Sequence, residues 1–138
     1  MTFTAQSLRG SRMNWNGQAK ASVTVNTQTS TQGNIIYLFE KGQFCPDATT
    51  SAIPFSNTFK LVCRSDSIVF YHERFGADNP VWLFDLVATD HNTLKNKTIH
   101  QCAQDQYSVL VTLNEKNIEM MWQIHGPKKN EKIHYHYF

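Results

Sequence analysis

One stretch of the chain decides the fold: Tyr107-Ser108-Val109-Leu110-Val111-Thr112-Leu113-Asn114-Glu115-Lys116-Asn117-Ile118-Glu119-Met120-Met121-Trp122-Gln123-Ile124. Apolar side chains recur at every second position on both sides of the polar segment 114–117, which is the period of a β-strand. A short polar segment between two such runs predicts a hairpin turn. The stretch therefore predicts two antiparallel strands that share one apolar face.

The same signal recurs outward from this hairpin. Alternating or continuous apolar runs occupy residues 21–25, 34–41, 59–64, 68–73, 81–87, 98–102 and 132–138. Three of them (34–39, 68–71 and 81–87) are apolar on both faces, which in a barrel requires an apolar interior and a partly covered outer face. No segment supplies the crossover helices that parallel strands need.

The sequence thus predicts an all-β fold, a single domain over residues 1–138. We expect an antiparallel barrel of about nine or ten strands. Only residues 2–9 could form a short helix, and residues 44–57, which contain two prolines, are predicted to form a long loop.

The composition excludes some classes of protein. The 138 residues include 13 basic and 11 acidic side chains, a formal charge of +2 without a dense basic run, which argues against nucleic-acid binding. No run approaches the ~20 apolar residues of a membrane-spanning helix, and the first nine residues lack the features of a secretory signal. Three cysteines, an odd number, fit reduced thiols. We therefore expect a cytoplasmic protein with no membrane association.

Polar side chains are concentrated around residues 100–107. His100 and Cys102 are two residues apart, so on a strand they project to one face, where imidazole and thiolate could bind zinc or copper with Asp105. His134 and His136 could supply a second ligand pair. The same His100 and Cys102 invite a thiol-nucleophile interpretation. A buried cysteine packs more often as a small hydrophobe, so the sequence predicts no metal site.

Other side chains are candidates for a ligand pocket. Asp105 could pair with Arg64, Arg74 or Lys129, or could close the barrel as a buried, hydrogen-bonded carboxylate. His72 alternates with Ile68 and Phe70, so it could point into the barrel. A histidine in an apolar cavity could hold haem, although such a residue is more often a core residue.

A longer motif in the C-terminal half is similar to a known family. It reads His-x-Cys-x-x-Asp-x-Tyr, then a tryptophan, then Gly-Pro-Lys-Lys, and it comprises His100, Cys102, Asp105, Tyr107, Trp122, Gly126, Pro127, Lys128 and Lys129. The motif resembles that of the DUF6314 family, as do Gly17-Gln18-Ala19, the segment 37–42 and the hairpin 75–86. The resemblance implies a calycin-like barrel, related in shape to lipocalins and fatty-acid-binding proteins, with no established activity.

We therefore expect an intracellular barrel that binds a small, largely apolar molecule carrying one anionic or carbonyl group. The side chains expected to line, gate or anchor the site are His72, Trp82, His100, Asp105, Tyr107, Trp122 and His136, with Arg64, Arg74 and Lys129 as partners of the ligand's polar group. The sequence identifies no cofactor and no catalytic residue. Two alternatives stay open: an enzyme that uses His100, Cys102, Asp105 and Tyr107 for acid–base chemistry, and a solidly packed barrel that acts as a dimeric interaction module.

Overall fold

The computed structural model describes residues 1–31 and 33–138, and within them the chain forms eleven strands and no helix. The strands are β1 (Thr2–Ser7), β2 (Gly17–Ser30), β3 (Gly33–Pro46), β4 (Ile53–Cys63), β5 (Ile68–His72), β6 (Val81–Ala88), β7 (Thr93–Asn96), β8 (His100–Cys102), β9 (Asp105–Leu113), β10 (Ile118–His125) and β11 (Asn130–Tyr137).

Ten of these strands form a closed antiparallel ring. The ring runs from β1 to β7 and then through β9, β10 and β11, which pairs back with β1. The short β8 pairs with β9, next to β7 along the same side of β9. The predicted antiparallel barrel is confirmed, and so is the predicted hairpin, in which Val109 pairs with Trp122 and Val111 with Met120.

Because the strands of the ring alternate in direction, the connections gather at two ends. The segments 8–16, 47–52, 73–80, 103–104 and 126–129 lie at one end, which we call the Trp15 end. The segments 64–67, 89–92 and 114–117 lie at the opposite end, which we call the Asn114 end. Any two side chains can therefore be assigned to the same end or to opposite ends of the barrel.

Residues 2–9, the one segment where the sequence allowed a short helix, contain a strand instead. Residues 2–7 form β1, which pairs with β2 on one side and with β11 on the other, and so closes the ring. Phe3 and Ala5 are buried, whereas Thr4 and Gln6 between them are exposed, which is the period of a strand. Pairing with residues far away in the sequence overrides the weak local preference of this segment.

The predicted long loop over residues 44–57 is also mostly strand. β3 continues to Pro46 and β4 begins at Ile53, which leaves only 47–52 as a connection. Proline is tolerated at strand ends, where its missing N–H breaks no ladder hydrogen bond. Near the middle of β3, Gly42 lies so close to β2 that a Cβ atom would overlap the Lys20 carbonyl oxygen and Ala21. The pairing of β2 with β3 thus requires glycine at this position.

The interior is filled on one side of the barrel. Four aromatic side chains from different strands, Phe59, Phe70, Phe84 and Trp122, pack with ring centroids 5.1–6.4 Å apart. Phe70 and Phe84 are 1% and 0% exposed, so this half has the density of a protein core. Space remains on the other side of the interior, between β1–β4 and β11.

The wall of the barrel has one lateral gap. β6 pairs with β7 over residues 86–88, but along residues 81–84 it faces β8 with no strand pairing between the two within the described chain. The imidazole of His100 fills this gap, with its ring centroid 5.4 Å from Trp82 and 6.0 Å from Phe84. A side chain therefore replaces the missing ladder.

Candidate functional site

An apolar cavity of about 340 Å³ opens at the Trp15 end. Its walls are mainly aromatic, which suits flat ring systems. The lining side chains are Phe3, Asn14, Trp15, Asn16, Phe44, Pro46, Ile53, Phe55, Asn57, Ile133 and Tyr135. We call it the aromatic cavity, and its volume lies within the usual range of small-molecule sites.

A hydrogen-bonded loop, residues 8–16, roofs the aromatic cavity. The buried carboxylate of Glu131 accepts hydrogen bonds from the hydroxyls of Ser7, at 2.7 Å, and Ser11. The Ser7 hydroxyl oxygen in turn accepts from the backbone N–H of Trp15 at 2.6 Å. This network fixes the Trp15 indole over Phe44, with a centroid separation of 5.5 Å, while half of the indole stays exposed. Trp15 is thus a roof side chain, held by its backbone.

Glu40 lies in the barrel interior, behind the base of the aromatic cavity. It is 2% exposed, and it accepts hydrogen bonds from the Tyr137 hydroxyl at 2.5 Å and from Asn57 Nδ2 at 3.0 Å. Burial raises the pKa of Glu40, and the two hydrogen bonds only partly offset that effect. Burial and the neighbouring Glu40 raise the pKa of Tyr137 as well, so its proton stays in place.

The Tyr135 hydroxyl and the Asn57 oxygen are the polar groups that the aromatic cavity offers a ligand. Asn57 donates a hydrogen bond from Nδ2 to Glu40, which leaves its Oδ1 as an acceptor without a partner in the described chain. The Tyr135 hydroxyl likewise has no hydrogen bond within the described residues. Burial raises the pKa of Tyr135, so it is a neutral donor and acceptor.

A second cavity, of about 540 Å³, opens at the Asn114 end. Half of its fourteen described lining residues are aliphatic or methionine, whereas five of the eleven that line the first cavity are aromatic. The lining side chains are Met1, Ala21, Ser22, Val23, Val25, Leu38, Asn114, Glu115, Lys116, Asn117, Ile118, Met120, Tyr137 and Phe138. We call it the aliphatic cavity, and Tyr137 joins it to the Glu40 hydrogen bonds.

Only part of the predicted cluster in the C-terminal motif comes together, and it lies outside both cavities. His100, Tyr107 and Trp82 are neighbours, with the His100 ring 5.8 Å from Tyr107. Trp82 donates its Nε1–H to Asp85 at 3.1 Å, and Trp122 belongs to the filled aromatic core. The His100 Nδ1 and Trp122 Nε1 atoms are buried without a hydrogen-bond partner within the described chain. Burial lowers the pKa of His100, so the imidazole is neutral.

The motif's Asp and Lys form an ion pair at the Trp15 end. Lys129 Nζ lies 2.6 Å from Asp105 Oδ2, and this hydrogen bond raises the pKa of Lys129. Gly126 packs on the same carboxylate, because a Cβ atom there would overlap Asp105 Oδ1. The ion pair and the packing of Gly126 therefore hold the Gly-Pro-Lys-Lys turn against the β8–β9 turn. Asp105 pairs with Lys129, one of the three predicted partners.

Three of the predicted ligand-binding residues lie elsewhere. Arg64 belongs to the turn 64–67 at the Asn114 end, so it cannot meet Asp105 or Lys129 at the Trp15 end. His136 lies between the inward-facing Tyr135 and Tyr137 and therefore points to the outer face, where its ring contacts Phe138. Arg74 lies over the Phe75 ring in an exposed loop. None of these three residues is among the described lining residues of either cavity.

The metal, thiol and haem hypotheses gain no support from the geometry. Cys102 is exposed, and the described residues contain no group of three His, Cys, Asp or Glu side chains able to hold a metal ion. His134, on the outer face, pairs with Glu119 at 3.0 Å. His72 packs on Phe59 in the core, where burial and then the charge of Arg74 lower its pKa. Neither cavity has a histidine among its described lining residues.

Comparison with known proteins gives the family. The signature of a family of unknown function, DUF6314, matches residues 4–138. The chain belongs to the DUF6314 family. No curated protein and no solved structure matches this DUF6314 protein. None of its described residues lies in a helix that could cross a membrane.

The interior polar residues of this DUF6314 protein were missed from the sequence, although one signal was available. In β3, Leu38, Glu40, Gly42 and Phe44 alternate with outward-facing side chains, so a carboxylate occupies an interior position of an apolar strand. Asn57 is aligned directly with Glu40 in the next strand. A charged side chain at such a position is rarely buried unless it is paired, so it marks a site.

Proposed function

We propose that this DUF6314 protein binds a small neutral aromatic molecule in the aromatic cavity. One observation carries the proposal: an apolar cavity of about 340 Å³ has aromatic walls, an indole roof and unpaired polar groups at its base. Binding pockets are typically hydrophobic with a few placed polar groups. Phe3 and Phe44 already stack at 5.8 Å, so a planar ligand would extend an existing row of rings.

The polar groups of the aromatic cavity determine which polar group the ligand carries. Asn57 Oδ1 can accept a hydrogen bond, and the Tyr135 hydroxyl can donate or accept one, which together suit a phenol or an aromatic alcohol. The ligand would be neutral, because no Lys or Arg lines the described cavity and the Glu40 carboxyl lies behind its base. These observations therefore favour a ligand whose polar group is a hydroxyl or a carbonyl over a ligand whose polar group is anionic.

Calorimetric titration with 2-naphthol tests the proposal, with 2-methoxynaphthalene as the matched ligand that cannot donate. A neutral hydrogen bond contributes about 0.5–1.5 kcal/mol, so we expect 2-naphthol to bind roughly five times more tightly. Trp15→Ala removes the exposed roof and should weaken binding by a similar factor, since aromatic pairs contribute about 0.5–1.5 kcal/mol. Trp82→Ala is the control, because Trp82 is another partly exposed indole at the same end that does not line the cavity.

A blocking substitution makes the test decisive. Ile53 lines the cavity and is 52% exposed, so Ile53→Trp fills the entrance without disturbing the core. Saturable 2-naphthol binding that survives in Ile53→Trp, or that falls equally in Trp15→Ala and Trp82→Ala, would place the ligand elsewhere and contradict the proposal.

The enzyme alternative has less support. Acid–base chemistry by His100, Cys102, Asp105 and Tyr107 needs these groups to converge on one cavity. Instead, Cys102 is exposed, Asp105 is paired with Lys129, and none of the four lines either described cavity.

The interaction-module alternative stays a prediction, favoured by an aromatic patch on the outer face. Tyr37 and Phe39 stack at 6.0 Å, and Phe39 is 42% exposed. Sedimentation of wild-type protein against Phe39→Lys would show whether two copies associate through this patch.

The three cysteines are free, which supports the proposed cytoplasmic location.

A further inference from the structure

We propose that the aliphatic cavity is a second, separate binding site, specific for an unbranched aliphatic alcohol. This inference goes beyond the aromatic site, because it concerns the opposite end of the barrel and rests on different residues. The cavity of about 540 Å³ is larger than the first and opens at the Asn114 end. Three features support it: the composition of its walls, its separation from the aromatic cavity, and the Tyr137 hydroxyl in its interior.

The walls favour a flexible chain. Val23, Leu38 and Met120 line the interior, and Val25 and Ile118 stand at the mouth, 58% and 37% exposed. Methionine and branched aliphatic side chains adapt to a chain with many rotatable bonds, whereas they offer little stacking to a ring. The aromatic cavity has the opposite composition, so the two cavities select different molecular shapes.

The Glu40 hydrogen bonds separate the two cavities. Asn57 lines only the aromatic cavity and Tyr137 only the aliphatic one, and both donate to the same buried carboxylate. Glu40 itself lines neither cavity. A ligand in one cavity therefore meets this hydrogen-bonded wall and not the other ligand.

Tyr137 determines the polar group of the second ligand. Its proton is engaged by Glu40, so its oxygen can only accept a further hydrogen bond. A ligand group that bonds there must be a donor. A hydroxyl qualifies, whereas a carboxylate, an ester or an ether oxygen has no proton to give. At this interior position Tyr137 therefore favours an alcohol over a fatty acid of the same length. The charged lining side chains Glu115 and Lys116 lie in the exposed turn at the mouth, and the Met1 ammonium group already donates to the Ala21 carbonyl oxygen.

Methionine methyl NMR tests this in the wild-type protein. Met120 lines the cavity, whereas the next residue, Met121, points to the outer face. Titration with 1-octanol should shift the Met120 methyl signal saturably and leave the Met121 signal in place. Each buried methylene contributes about 0.8 kcal/mol, so affinity should rise roughly fourfold per carbon from 1-butanol until the cavity is full. Replacing 1-octanol by 1-methoxyoctane should cost about fivefold, the value of one neutral hydrogen bond.

Two paired controls fix the location. Val25→Trp narrows the mouth and should abolish the Met120 shift, whereas Thr24→Trp adds the same side chain to the exposed outer face of β2 and should not. Saturation with 2-naphthol should leave octanol binding unchanged.

Several outcomes would overturn the proposal. They are an absent Met120 shift, an equal Met121 shift, displacement of octanol by 2-naphthol, and tighter binding of octanoate than of octanol. The Met120 methyl signal reports only on the Asn114 end. Failure of the aromatic site would therefore leave the octanol result unchanged, and failure of the aliphatic site would leave the 2-naphthol result unchanged.

Discussion

The Tyr137 hydroxyl provides the sharpest test of the interior hydrogen bonds. Tyr137→Phe removes the donor that lies 2.5 Å from Glu40 Oε1 and keeps the ring, which stacks on Tyr135 at 6.1 Å. The carboxyl, 2% exposed, then retains only Asn57. A hydrogen bond to a charged group contributes about 1.5–3 kcal/mol, so we expect a loss of about 2 kcal/mol in the free energy of unfolding.

Urea and thermal denaturation followed by circular dichroism measure this loss. The unfolding entropy is about 2.1 cal/mol/K per residue, so for a chain of 138 residues the melting temperature should fall by about 7 °C. The control is Tyr37→Phe, which removes a hydroxyl on the outer face and should change stability by less than about 0.5 kcal/mol.

A double-mutant cycle assigns the effect to the carboxylate. In a Glu40→Gln background the hydrogen bond is neutral, so Tyr137→Phe should cost only about 1 kcal/mol. Equal losses in Tyr137→Phe and Tyr37→Phe would refute the reasoning, as would an undiminished loss in the Glu40→Gln background.

Three further predictions concern other contacts. Because the pKa of Glu40 is raised, the folded protein binds more protons than the unfolded protein between pH 4.5 and the folded pKa. Urea midpoints should therefore show wild type losing stability relative to Glu40→Gln as pH rises through the folded pKa, and a constant difference would contradict this. Lys129→Met breaks a partly exposed ion pair with Asp105 and should cost about 0.5 kcal/mol more than Lys128→Met in the same assay. Gly126→Ala forces the Asp105 carboxylate to turn away from Lys129 and should cost about 0.5 kcal/mol, so an unchanged urea midpoint would disprove the close packing.

The sequence predicted the fold wherever local signals agreed. The hairpin of β9 and β10 combines strict alternation with a polar turn, and both are properties of neighbouring residues. β1 lacked such a signal. Ala5 belongs to a residue type that is depleted in strands, and this strand forms because it pairs with residues 131–136 at the other end of the chain. Closure of a barrel is a long-range event that local patterns do not encode.

The candidate site was less predictable for a physical reason. The alternation is the same in filled and hollow barrels, so it could not show that Phe59, Phe70, Phe84 and Trp122 fill one side of the interior. Asp105 pairs with Lys129, one of three partners that the sequence left open. The cavities depend on how side-chain volumes add up across the barrel, which no single strand reveals.

The lateral gap between β6 and β8 has a consequence for how the barrel opens. Elsewhere in the described ring, an interior amide can exchange its proton with solvent only after a ladder hydrogen bond breaks. Along residues 81–84, on the side that faces β8, only the His100 ring has to move. Deuterium should therefore enter this stretch before it enters the fully paired strands of the barrel wall.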